Sequence, residues 1–167
     1  MFPYAVTFPE PSSAAPWTDV APPGRKTPAP PCSPRAQLTL PAQEALVGRL
    51  RGIASALLTC WRLPDDERDS AVLIVGELAA NAARYGRSEM TLCLALDPGT
   101  LRIVVSDHGD PAPARAPSAD EDPDEHGRGL DIVRSLSTHV DLRHHDAGTW
   151  VLAHLSIDTQ SFSRIMR

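Results

Sequence analysis

Residues 75–86, VGELAANAARYG, carry three side chains that could do chemistry in an otherwise small and apolar segment. On a helix, Glu77, Asn81 and Arg84 fall within roughly 60° of one another. A carboxylate and an amide one turn apart can share a hydrated divalent cation or orient a water molecule. The alternative is a solvated helix face with a loose Glu–Arg pair. The flanking alanines, however, leave room for a ligand to approach the backbone.

Three further motifs lie downstream. Asp107 ends the apolar stretch LRIVVSD and could accept a hydrogen bond from a ligand's amino group, while Gly109 permits close backbone approach. Gly127 and Gly129 precede a helix and would expose backbone N–H groups to an anion. Thr149 offers a hydroxyl at the start of the last strand. Each motif also has an ordinary structural explanation, as a turn, a helix cap or a strand former.

Apolar periodicity predicts the elements that must position these groups. The predicted elements are a strand at 36–40, helices at 41–63 and 65–86, a hairpin at 89–107, a loop at 108–126, a helix at 127–139 and a hairpin at 140–157. Within the second helix, Asp65 is the predicted N-cap, Gly86 the predicted C-cap, and Tyr85 belongs to the apolar face. This order predicts an α+β two-layer sandwich with helices on one face of a mostly antiparallel sheet.

Composition divides the chain into a proline-rich tail at 1–36, one domain at 37–158 and a short C-terminal tail at 159–167. Ten of the 17 prolines lie in the first segment, which predicts disordered or extended structure. Its aromatic residues are unusual for a solvated tail and could dock on a partner or on the domain itself. They are Phe2, Tyr4, Phe8 and Trp17.

Charge and cysteine content exclude several function classes. The net charge is −5 and no basic block is present, which argues against direct binding of nucleic acid. The three cysteines and six histidines show no metal-ligand spacing and no disulfide framework. No apolar run approaches the roughly 18 residues that span a bilayer, and no signal peptide is recognisable. A cytoplasmic protein without membrane association is therefore expected.

The motifs resemble those of the histidine-kinase-like ATPase superfamily, which includes gyrase, the heat-shock chaperones, the histidine kinases and the mismatch-repair ATPases. ELAANAARYG resembles its N box, SDHGD its first glycine box, GRGLDIV its second, and GTWVLAHL its closing strand. The resemblance covers about residues 36–157 and implies the Bergerat ATP-binding fold. Within the superfamily, the chain looks most like the small stand-alone proteins of the anti-sigma-factor serine/threonine kinase type.

The resemblance implies ATP and Mg²⁺ as cofactors. Glu77 would be the general base, Asn81 the Mg²⁺ ligand, and Asp107 the acceptor for the adenine amino group. Residues 110–126 would form the lid. The other residues expected around the nucleotide are Arg84, Gly109, Gly127, Arg128, Gly129, Leu130 and Thr149.

Two departures from the family pattern bear on activity. Pro111 stands where the first glycine box usually has its second glycine, and His126 stands where a glycine often precedes Gly127. The lid is also acidic and would repel a triphosphate.

The resemblance therefore implies an ATP-binding regulator of transcription that acts by partner switching. It would be either a kinase of an anti-sigma-factor antagonist or a non-catalytic, nucleotide-responsive module that sequesters a sigma factor or another regulator. Homodimerisation, frequent in such relatives, remains open.

Overall fold

A computed structural model of the chain describes residues 34–111, 125–145 and 148–158. In chain order its elements are strand β1 (Arg35–Pro41), helices α1 (Glu44–Cys60) and α2 (Asp65–Tyr85), strands β2 (Arg87–Asp97) and β3 (Thr100–Pro111), helix α3 (Glu125–Leu136), and strands β4 (His139–His145) and β5 (Gly148–Ser156). This is the predicted order. Most of both predicted tails and of the predicted lid lie outside the described residues.

The five strands form one antiparallel sheet in the order β1-β2-β3-β5-β4. Paired residues share a face of the sheet, so the register shows which side chains point the same way. One row runs Leu38–Leu92–Val105–Val151, and all four of these side chains belong to the main core. The predicted α+β architecture is confirmed.

The helices cover this face because their apolar residues recur at helical spacing. In α1 the buried residues Leu50, Ala54 and Leu58 are four apart, and α2 buries a matching stripe that includes Ile74 and Leu78. All of them belong to the same core cluster as the sheet residues. None of the helices in the described part of the chain has the length and hydropathy needed to cross a membrane.

Two of the three predictions about the ends of α2 need correction. Helix α2 begins at Asp65 with Pro64 in the N-cap position, and the Asp65 carboxylate accepts a hydrogen bond from Arg68 Nη1 at 2.7 Å instead of capping the backbone. Tyr85 is 55 % exposed and does not join the core, because the helix ends there and the ring extends beyond the sheet-facing stripe. Gly86 is the C-cap, as predicted: its N–H donates to the Ala82 carbonyl oxygen at 2.9 Å, with φ at −85° instead of the left-handed value common at this position.

The predicted loop at 108–126 is also too long. Strand β3 continues to Pro111, which pairs with Arg87 across a register shift, and α3 already begins at Glu125. Asp107 therefore lies inside a strand rather than at its end, opposite Met90. Gly127 and Gly129 lie inside α3 rather than before it, because the helix already starts at Glu125, two residues before Gly127.

Candidate functional site

A cavity of about 190 Å³ opens between α2, α3 and the helix-facing side of the sheet. Its apolar wall is contributed by both layers, and its mouth carries the exposed side chains of Tyr85 and Leu142. The apolar lining residues are Leu78, Ala82, Val105, Leu130 and Val151, and the polar ones are Asn81, Asp107, His144 and Thr149. An apolar slot with a few convergent polar groups is the usual form of a small-molecule site.

Asp107 is the carboxylate at the base of this cavity. Alternation along β3 puts it on the same face as Ile103 and Val105, and it is only 7 % exposed. Burying a carboxylate is costly unless a polar partner compensates it. A buried Asp that lines a cavity is therefore better explained by a ligand than by packing.

Two glycines fit closely around Asp107. A Cβ added at Gly86 would lie 2.7 Å from Asp107 Cβ and would also collide with the Ala82 carbonyl oxygen. A Cβ added at Gly148 would lie 2.9 Å from Asp107 Oδ1 and would collide with the Asp107 carbonyl oxygen. Gly148 also has φ +143°, which L side chains rarely adopt. Both glycines are thus required for the position of Asp107, a role that sequence reasoning missed.

Glu77 and Asn81 lie on successive turns of α2, on the side that faces α3. A Cβ at Gly129 would lie 2.8 Å from Glu77 Oε2 and 3.9 Å from Asn81 Nδ2, so both side chains lie against α3 at this glycine. Asn81 lines the cavity, whereas Glu77, one turn earlier on α2, does not. Of the predicted carboxylate–amide pair, Asn81 therefore shares the cavity with Asp107, and Glu77 lies one helical turn away.

Thr149 also reaches the cavity, where its Oγ1 lies 3.2 Å from Nδ1 of His144. The two residues are register partners in the last hairpin. Sequence reasoning gave His144 no role at a site, and its side chain is exposed. Only the register of β4 against β5, which the sequence does not show, brings it to the site.

The other predicted residues are placed differently. Arg84 does not line the cavity, and its Nε lies 3.8 Å from Glu44 Oε1 at the start of α1. Arg128 is exposed on α3, next to Gly129, and Gly109 lies in β3, two residues after Asp107. Arg84 is thus separated from Glu77 and Asn81, because its long side chain reaches towards α1.

We expect Gly148→Ala to lower the free energy of unfolding by about 3 kcal/mol, because it combines an unfavourable φ with a collision at Asp107. Gly99→Ala is the matched control. Gly99 also has positive φ, +75°, but its Cβ would meet nothing closer than 4.0 Å, so backbone strain alone should cost about 1 kcal/mol. Urea unfolding measures both variants, and equal losses would contradict the crowding at Asp107.

The described residues form an α+β sandwich with a cavity between its helix and sheet layers. The chain belongs to the histidine kinase-like ATPase domain family, whose model matches residues 40–155. No curated protein matches the sequence.

One of the two solved structures that follow has a TM-score above 0.5 and shares the fold. The RsbU and RsbW domains of Rv1364c from Mycobacterium tuberculosis superpose with a TM-score of 0.56 at 19 % identity, covering 74 % of this chain and 32 % of that one. The histidine kinase domain of the blue-light activated kinase EL346 from Erythrobacter litoralis gives a TM-score of 0.44 at 19 % identity, covering 74 % and 64 %. This chain thus spans less than two thirds of either structure.

Proposed function

We propose that this protein is an ATP-binding regulator and that it acts as a serine/threonine protein kinase on an anti-sigma-factor antagonist. The observation that carries the proposal is the convergence of Asn81, Asp107 and Thr149 on one cavity of a histidine kinase-like ATPase domain. The fold shared with a protein that contains an RsbW domain is compatible with this role.

The cavity suits an adenine base. Apolar walls from Val105, Leu130 and Val151 can contact both faces of a flat ring, and the Asp107 carboxylate can accept a hydrogen bond from its amino group. The volume of about 190 Å³ is below the usual range for a whole drug-sized ligand, so the phosphates would lie outside it, towards Asn81 and α3.

The phosphate end would use two different properties of α3. Gly127 is the third residue of the helix, so its N–H is among those without an intrahelical acceptor and can face an anion. The N–H of Gly129 belongs to the helical ladder, and its contribution is the space it leaves beside Glu77. The two glycines of this motif therefore have separate roles.

Asn81 would ligate Mg²⁺ through its side-chain oxygen. Among the described residues no group of three or more His, Cys, Asp or Glu side chains could hold a metal ion, so the remaining ligands would come from phosphate oxygens and water. When bound, Mg²⁺ would neutralise the charge that develops on the phosphates.

Glu77 would accept the proton of an incoming hydroxyl. The serine or threonine oxygen of the antagonist would bond to the γ-phosphorus, the bond from that phosphorus to the β–γ bridging oxygen would break, and ADP would leave. The carboxylate beside Gly129 is close enough to Asn81 to serve the same reaction centre.

A second candidate is a non-catalytic module that binds nucleotide and sequesters a sigma factor or another regulator. The observation in its favour is Pro111, which pairs with Arg87 at the end of β3. By the resemblance, a glycine would be expected there. Proline has no N–H and a fixed φ, so this position is stiffer and offers one donor fewer. ATP binding without turnover would favour this candidate.

Calorimetric titration with ATP tests nucleotide binding. We expect Asn81→Ala to weaken binding at least about tenfold when Mg²⁺ is present, and much less when it is absent, because the amide acts through the ion. Gln37→Ala removes an amide from β1 on the opposite face of the sheet and should leave the affinity unchanged. Absence of ATP binding by the wild-type protein would overturn the proposed function.

A further inference from the structure

The side of the sheet that points away from the helices, here called the outer face, carries a second apolar cluster. Cys93, Val104 and Leu152 are register partners across β2, β3 and β5, and Trp150 packs against them. This cluster is separate from the main core. The sheet is therefore apolar on both sides at its centre.

The outer cluster is buried as completely as the core. Cys93, Val104 and Leu152 are each only 2 % exposed. Burial raises the pKa of the Cys93 thiol to about 12. On the same face the pKa of His154 is lowered, first by burial and then by the positive charge of His139 and Arg102, partly offset by Asp97. An antiparallel sheet with one solvated face would not bury its central side chains to this degree.

The helices do not cover this cluster. The apolar residues of α1, α2 and α3 pack against the main core on the other side of the sheet. The outer cluster within the described ranges consists of strand residues alone. A covering layer on this face would therefore be a further segment of the chain.

Two of the chain's other segments are poorly suited to this position. Residues 112–124 contain no large apolar side chain. The C-terminal segment leaves on the helix side, because Ile157 belongs to the main core and the N–H of Asp158 donates to Glu67 Oε1 of α2 at 2.8 Å.

The N-terminal segment, residues 1–33, fits better. It joins the sheet at Pro34, whose carbonyl accepts a hydrogen bond from the Leu96 N–H at 2.9 Å, and Arg35 pairs with Ala95 in the outer row. The sheet is about 19 Å wide, whereas 33 extended residues could span about 100 Å, so length does not limit it. The segment also contains Phe2, Tyr4, Phe8 and Trp17.

We propose that residues 1–33 pack across the outer face of the sheet, with their aromatic side chains on the Cys93–Val104–Leu152 cluster. The segment would thereby account for the near-complete burial of these three strand residues. It would thereby be an intramolecular third layer of the domain, on the side opposite the nucleotide cavity.

The rate at which a maleimide labels the Cys93 thiol reports whether a segment covers the outer face. In a Cys32→Ser background, a maleimide should label exposed Cys60 quickly and Cys93 slowly, as followed by peptide mass spectrometry. Replacing Phe2, Tyr4, Phe8 and Trp17 together by serine in the full chain should raise the Cys93 rate at least about tenfold and leave the Cys60 rate unchanged. The matched control, Phe162→Ser with Ile165→Ser near the C-terminus, should change neither rate.

Several results would overturn the proposal. The first is a Cys93 rate equal to that of Cys60 in the unsubstituted chain, and the second is an unchanged Cys93 rate in the aromatic variant. Faster Cys93 labelling in the C-terminal variant would assign the cover to that segment instead. Protection that disappears on dilution would assign it to a second copy of the chain. Near-ultraviolet circular dichroism checks that the variants remain folded. If the fourfold variant is unfolded, so that Cys60 is also labelled faster, the four single substitutions are tested instead. At least one of them must then raise the labelling rate of Cys93 without changing that of Cys60.

Discussion

Replacing Glu77 by glutamine is expected to lower the rate of phosphoryl transfer at least about 100-fold and to change ATP affinity less than about threefold. The amide keeps the shape of the carboxylate, including its approach to Gly129, but it cannot accept the proton of the attacking hydroxyl. Transfer of radiolabelled γ-phosphate to the cognate antagonist domain gives the rate, and calorimetry gives the affinity. The effect should therefore fall on the rate of turnover and not on binding.

Glu89→Gln is the matched control for this experiment. Glu89 is an exposed carboxylate of β2 on the outer face, where its Oε2 lies 3.5 Å from His108 Nε2. The same change in charge at that position should leave the rate unchanged. Full activity in Glu77→Gln would contradict the role of general base, and ATP binding without transfer by the wild-type protein would favour the non-catalytic module.

Replacing Asp107 by asparagine is expected to weaken ATP binding by about 10- to 100-fold without lowering stability. The carboxylate would lose its charge-assisted hydrogen bond to the adenine amino group, while the neutral amide costs less to bury at a site that is 7 % exposed. The preference for ATP over GTP should also narrow, because an amide can donate to the oxygen that guanine carries at the corresponding position. Titrations with both nucleotides and a thermal unfolding curve measure the three effects.

The control for Asp107 is Asp141→Asn. Asp141 lies on β4, opposite Leu152 on the outer face, and its Oδ2 accepts a hydrogen bond from Arg143 Nε at 2.9 Å. Removing this charge should leave both nucleotide affinities unchanged. If Asp107→Asn bound ATP as tightly as the wild-type protein, Asp107 would not recognise the base.

Local pattern was sufficient for much of the fold. Apolar spacing in α1 and α2 and alternation in β2 and β3 depend only on which residues are neighbours along the chain, and they predicted the observed element order. The ends of the elements were less accurate. Strand β3 extends past Asp107 because β2 supplies pairing partners as far as Arg87, and that pairing is a non-local interaction.

The candidate site, too, could be predicted only in part. Glu77 and Asn81 are one helical turn apart, so their proximity follows from the sequence, and Asp107 could be singled out as an acid that follows an apolar run. Arg84 was assigned to the same group, but its side chain is long enough to reach Glu44 of α1, and helical spacing carries no information about that choice. The phosphate and base roles of these residues remain predictions.

Sequence alone thus determined the order of the elements, the antiparallel sandwich, and the carboxylate–amide pair on α2, because each follows from short-range periodicity. Tertiary structure decided which residues meet. The β4–β5 register brings His144 to Thr149, the approach of α3 to α2 places Gly129 against Glu77, and the close fit around Asp107 gives Gly86 and Gly148 their roles. These contacts join residues far apart in the chain, or across a hairpin whose register is fixed by packing, so no local pattern encodes them.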